Sequence, residues 1–157
     1  AAQPQARVLL SGQGPELAAT KKLVQGAGLE KHVDFAGFRN DLERVMPCVD
    51  LMVHPAEMEG LGVALLQAAA CGLPIVAGRA GGIPEIVRPG INGELIEPGD
   101  VEGLSGHLIR LLGDPALRQR YGAAGRALAL AEFSIEAMVE GNLQAYRDVC
   151  SARGFSA

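Results

Sequence analysis

Tryptophan is absent from this sequence of 157 residues, and aromatic side chains make up only 4% of it. Stacking platforms for unpaired bases are therefore poorly supplied. Lysines and arginines never cluster, and the net charge is −4, so binding to a nucleic-acid backbone lacks its electrostatic source. Cysteine is scarce as well. Cys48, Cys71 and Cys150 are far apart and odd in number, which argues against a disulfide framework and fits a reducing, cytoplasmic compartment. There is no CxxC, and His32, His54 and His107 are isolated from one another, so no zinc site is expected. Asp34, Asp41 and Asp50 form no DxD pair, and no Mg²⁺ cage is expected either. No apolar run approaches membrane-spanning length, and no signal-peptide pattern opens the chain. Residues 1–6 read as a frayed start.

What is present is ordinary globular material, 48% apolar and 20% charged, in a chain long enough for one domain with a sizeable core. Short apolar runs alternate with helical segments. Strands are expected at 7–11, 33–36, 51–53, 75–77 and 94–96, each run apolar and ended by glycine, proline or a polar turn. Between them, Pro15 is placed to open a helix that runs to about Gly26, and Asp41 to cap a short helix that runs to Pro47. After Pro98-Gly99-Asp100 the pattern turns wholly helical. Leu104, Leu108, Leu111 and Leu112 recur at helical spacing, a second helix starts at Pro115 and a third near Ser134. The third carries an apolar stripe of Ile135, Met138, Val139, Leu143, Tyr146 and Val149, expected by default to pack on its own fold, the alternatives being a dimer face or a stripe left partly exposed where the helix would cross towards a partner domain. The order implies a Rossmann-like α/β domain of three layers with a mainly parallel sheet, and a helical C-terminal segment over 101–157.

Ligands on such sheets bind beyond the carboxyl ends of the strands. Glycine loops leave those ends at Gly12-Gln13-Gly14, Gly37-Phe38-Arg39, Glu59-Gly60-Leu61-Gly62 and residues 78–82, and are expected to converge on one crevice. Residues 59–78 carry the most chemistry. An acid-glycine turn leads into a short helix from Val63 to Cys71, whose alanines Ala68, Ala69 and Ala70 allow close packing. Gly72 and Pro74 stop it before the next strand. A helix N-terminus beside glycines holds an anion through its free N–H groups and its dipole, while Glu59 and Gln67 supply polar flanks for hydroxyls. Gly12-Gln13-Gly14 is a weak fragment of a dinucleotide fingerprint. Leu17 occupies the third glycine position, and no acid closes the following strand, so the turn reads as structural or as a wall of another phosphate site. His54, before Pro55, reads as a packing or capping residue, and Cys71 as a small buried one.

Over residues 54–100 the pattern becomes specific. It resembles the C-terminal, donor-binding domain of family 4 (group 1) glycosyltransferases, which have the GT-B fold. The likeness extends upstream through Leu9-Leu10-Ser11-Gly12-Gln13-Gly14-Pro15-Glu16, through Phe35-Ala36-Gly37-Phe38 and through Asp50 before Leu51. Downstream it continues at Leu112-Gly113-Asp114-Pro115 and Phe133-Ser134, so that nearly the whole chain is covered.

The resemblance implies transfer of a sugar from a nucleotide-sugar donor such as a UDP- or GDP-hexose, with retention at the anomeric carbon and no bound divalent metal or other cofactor. It places Glu59 at the donor sugar hydroxyls, and the N–H groups of Gly60, Leu61 and Gly62 at the sugar and diphosphate. It sets Val63 and Leu66 as walls of the ribose and diphosphate, and Phe38 and Arg39 beside the nucleobase, largely through backbone. Gly12 and Gly14 complete the donor-binding set. One position departs: the family has two glutamates separated by seven residues, and Gln67 stands in the second place. An amide can accept from one ribose hydroxyl and donate to the other, but loses charge assistance, at a cost of roughly 1 kcal/mol. The family's phosphate-binding arginine and lysine lie upstream of the first residue, as does its acceptor-binding domain. The chain, 1–157 as a single domain, is thus expected to belong to a longer two-domain enzyme, the parent being a hexosyltransferase of the cytoplasm or the inner membrane face and the domain alone inactive. Other readings are a GT-B nucleotide-sugar epimerase or phosphorylase, and a non-catalytic sugar-nucleotide-binding module.

Overall fold

The structure, a computed structural model, describes residues 3–153. Residues 1–2 of the expected frayed start, and 154–157 at the end of the helical segment, lie outside the described residues. The chain divides into two compact units, Ala1–Val45 and Met46–Ala157.

The first unit runs β1 (Val8–Ser11), α1 (Leu17–Gly26), β2 (Val33–Gly37) and α2 (Leu42–Val45). β1 and β2 pair in parallel, Val8 opposite Val33, with a register shift between Leu10 and Ser11. The helix after β1 starts two residues later than Pro15 suggests. The Leu17 N–H bonds to the Gly14 carbonyl at 3.2 Å, so Pro15 and Glu16 form a turn before the helix begins. At α2 the Asp41 carbonyl accepts from Arg44 and Val45, whereas its carboxylate binds the Arg39 guanidinium. A charged fork two residues away outcompetes the capping role expected of this side chain.

The second unit opens on a 3₁₀ turn, Met46–Cys48, and continues through β3 (Met52–His54), α3 (Val63–Ala70), β4 (Ile75–Gly78), α4 (Ile83–Ile86), β5 (Gly93–Ile96), α5 (Val101–Gly113), α6 (Pro115–Glu132) and α7 (Ile135–Ala152). Its sheet is parallel in the order β3-β4-β5, with Val53 opposite Val76 and Val76 opposite Glu94. All four residues of β4 are buried. Successive strand residues point to opposite faces, so both faces of the central strand are covered, as crossover helices require. One core cluster joins Val76, Ile96, Leu111 and Tyr121, with Leu51, Leu104, Leu108 and Leu117 packed against it. Each large side chain buried in full contributes about 1.5–3 kcal/mol.

α3 packs on α6 through small residues. Ala68 and Ala69 are fully buried, and a methyl group at Gly122 would overlap the Gly72 carbonyl. Asn92, fully buried in the turn before β5, donates to the Ile86 carbonyl at 2.8 Å and accepts from the Arg88 N–H at 2.7 Å. Asp100, Asp114 and Ser134 cap α5, α6 and α7 through their side chains. The α7 stripe does not follow the default of packing on its own fold. α7 touches α6, yet Ile135, Met138, Val139, Leu143, Tyr146 and Val149 are all exposed. No helix of the described residues is long and apolar enough to cross a membrane.

Candidate functional site

β3 ends at His54, and the loop that follows carries Glu59 into the turn before α3. That loop folds back on its own strand. Glu59 Oε2 lies 2.9 Å from His54 Nε2, and Oε1 accepts the Gly60 N–H at 3.0 Å. Both side chains are a little over one-quarter exposed, at 28% and 29%. The His54 contact, then the Gly60 N–H, hold the Glu59 carboxyl below the usual carboxylate range. The carboxylate therefore accepts, and the His54 nitrogen facing it carries the proton. One bond on each oxygen leaves the remaining lone pairs free for hydroxyl donors.

Gly62 opens α3 with φ 87°, a left-handed backbone, and no side chain caps the helix. Its carbonyl accepts from Leu65 and Leu66 at 2.9 and 3.2 Å. The first N–H groups of α3 are thus held beside the Glu59 turn, with the positive end of the helix dipole behind them. Leu61 and Val63 are exposed at 42% and 63%, Leu66 is half-buried, and Gln67 is exposed.

The loop after β4 supports this turn from behind. The Gly82 N–H donates to the Gly60 carbonyl at 2.7 Å, and a side chain at Gly81 would overlap the Glu59 carbonyl. Of the four glycine loops expected on one crevice, those after β3 and β4 meet here. Within the first unit, the loops after β1 and β2 meet, where the Gly12 N–H donates to the Gly37 carbonyl at 2.8 Å. That bond brings Gly12 and the start of the Phe38-Arg39 loop together, while Gly14 is exposed in the following turn. Phe38 is 71% exposed. The Arg39 guanidinium is occupied by Asp41, with Nε 2.8 Å from Oδ1, and the same pair holds the Asp41 carboxyl low. A ligand beside Arg39 would meet its backbone more readily than its charge.

One feature escaped the sequence. His54 binds Glu59, where a packing or capping role was expected. Its signal is the short spacing from the end of an apolar run to an acid, with Pro55 between.

Parallel strands with crossover helices, and an acid-glycine turn feeding a helix beyond a strand's carboxyl end, define a Rossmann-like half-domain of the GT-B type. The chain belongs to the family described as Glycosyl transferases group 1, which it matches over residues 1–128. It is 36% identical over 144 residues to the N-acetyl-alpha-D-glucosaminyl L-malate synthase of Bacillus anthracis, covering 92% of this chain and 38% of that protein. A GDP-mannose-dependent monoacylated alpha-(1-6)-phosphatidylinositol monomannoside mannosyltransferase of Corynebacterium glutamicum is 39% identical over 149 residues, covering 89% of this chain and 38% of its own length. Among solved structures, Anabaena HepE in complex with UDP superimposes with a TM-score of 0.82 at 32% identity, over 96% of this chain and 43% of that one. The chain thus spans about two-fifths of the length of these relatives.

Proposed function

We propose that this chain is the donor-binding domain of a longer glycosyltransferase, and that the whole protein transfers a hexose from a nucleotide sugar with retention at the anomeric carbon, without a bound metal. The observation that carries this reading is the Glu59 carboxylate, fixed by two bonds beside a helix whose first N–H groups no side chain caps. The UDP complex of HepE supports a nucleotide-sugar ligand. Glu59 accepts hydrogen bonds from the donor sugar hydroxyls. The N–H groups of Leu61 and Gly62 reach the sugar and diphosphate, Gly60, whose own N–H is held by Glu59 Oε1, lets the backbone approach closely, and Val63 and Leu66 wall the ribose. As the bond from the anomeric carbon to the diphosphate oxygen breaks, negative charge grows on the leaving group, and the start of α3 stabilises it. Gln67 meets the ribose hydroxyls.

The acceptor half and the basic phosphate clamp belong to the rest of the proposed parent, so the domain alone has no transferase activity. The parent works in the cytoplasm, a placement that the few, widely spaced cysteines, odd in number, support. Titrating the full-length protein with UDP-, GDP- and ADP-hexoses identifies the donor. Glu59→Gln then weakens binding of the preferred nucleotide sugar and leaves the matching nucleoside diphosphate nearly unaffected, because only the former carries the sugar. Equal binding of the nucleotide sugar by Glu59→Gln and the native protein would refute the assignment. A second reading, a non-catalytic sugar-nucleotide-binding module, is favoured by one observation, the amide of Gln67 in place of a second acid. Sugar transfer by the full-length protein excludes it.

A further inference from the structure

We infer that His54 is a positioning residue for the sugar end of the donor site, acting through Glu59. This inference rests on the donor-site reading above. Glu59 sits on an exposed turn, and a glutamate there has three side-chain torsions to fix before it can meet a particular pair of hydroxyls. The Gly60 N–H belongs to the next residue in the chain and moves with the turn, so by itself it anchors the carboxylate only locally. His54 differs in kind. It is the last residue of β3, its backbone is paired in register with Ala77 of the buried strand β4, and its Nε2 is 2.9 Å from Oε2. The imidazole therefore transmits the rigidity of the sheet to the acid. With Oε1 tied to Gly60 and Oε2 to His54, the plane of the carboxylate is set, and its free lone pairs face a fixed direction.

The partner must donate. An ionised carboxylate accepts only, and both the neutral Nε2–H tautomer and the imidazolium offer a proton there. Positioning thus needs a donor at the place of Nε2, and does not need a positive charge. Glutamine carries its amide nitrogen at a similar reach from the backbone, whereas alanine carries nothing.

The test uses the full-length protein in four forms: native, His54→Ala, His54→Gln and Glu59→Gln. The readings are kcat and KM for the preferred nucleotide sugar, affinity for the matching nucleoside diphosphate, and the melting temperature. His54→Ala is expected to lower kcat/KM for the nucleotide sugar by about tenfold to a hundredfold, the scale of a misplaced contact. Nucleoside diphosphate affinity is expected to stay within about twofold, since that ligand lacks the sugar Glu59 meets. His54→Gln is expected to recover most of the loss. His54→Ala behaving as native while Glu59→Gln is impaired overturns the inference and leaves the donor-site reading standing. Equal impairment of His54→Ala and His54→Gln, with a matching fall in melting temperature and in nucleoside diphosphate affinity, also overturns it, by showing a merely structural role. An unimpaired Glu59→Gln overturns the donor-site reading itself, and the inference with it.

Discussion

Gln67 isolates one hydrogen-bonding term. It lies on α3 one turn beyond the uncapped end, exposed, so a change there leaves the core untouched. An amide opposite two ribose hydroxyls accepts from one and donates to the other, and a carboxylate accepts from both with charge assistance. Gln67→Glu is expected to strengthen binding by about 1 kcal/mol, roughly fivefold. The gain should be equal for the nucleotide sugar and the nucleoside diphosphate, because both carry the ribose. Calorimetric titration of the two ligands checks this, and a gain confined to the nucleotide sugar would move Gln67 to the sugar end. Glu59 and Gln67 both stand out in the sequence as candidates because each is polar in an otherwise apolar stretch. The partner of Glu59 was not. A lone histidine after a strand faces many neighbours, and only the path of the loop through Pro55 decides that His54 meets this acid.

At the scale of elements, the site depends on two glycines for different reasons. Gly62 holds a left-handed φ of 87° at the start of α3, and a methyl group there would lie 3.1 Å from Leu65 Cδ1. Gly81 also has a positive φ, 50°, but its hydrogen atoms face the Glu59 carbonyl, where a methyl group would overlap backbone. Gly62→Ala meets a side-chain methyl of the buried Leu65 rather than backbone, and should cost about 1–3 kcal/mol as backbone strain. Gly81→Ala must displace the acid-glycine turn as well, and is expected to cost more in thermal or denaturant unfolding. Equal costs would mean that the turn yields easily. Most elements were readable from the alternation of apolar runs with glycine and proline, and α6 and α7 begin where Pro115 and Ser134 placed them. The start of α1 and the role of Asp41 were not, because each is decided by a bond competing with the local signal: the Gly14 carbonyl for Leu17, and the Arg39 fork for Asp41. For the α7 stripe, packing on its own fold was the default and exposure the alternative, and the structure takes the alternative. Periodicity shows which face of a helix is apolar, and says nothing of what covers it.

Across the whole molecule, burial is uneven, and stability should follow it. Every buried core side chain among the described residues lies between Met46 and Ala129. In the first unit, α1 has no buried residue, and Val8, Leu9, Leu23 and Leu29 are exposed at 52%, 44%, 73% and 44%. Its sheet has two strands, and two-stranded pairs are marginal without a packed face. In the second unit, β4 is the central strand and is buried throughout. Its amides should open only with the core, whereas those of β1, α1 and β2 can open locally at much lower free energy. Hydrogen exchange on this chain is therefore expected to show early deuterium uptake across residues 8–37 and late uptake across residues 63–78, although both segments hold regular parallel α/β structure. Peptide-resolved mass spectrometry reads the two directly. Matching protection in both segments would mean that the first unit opens only with the core, and that side-chain exposure is a poor guide to local stability in this fold.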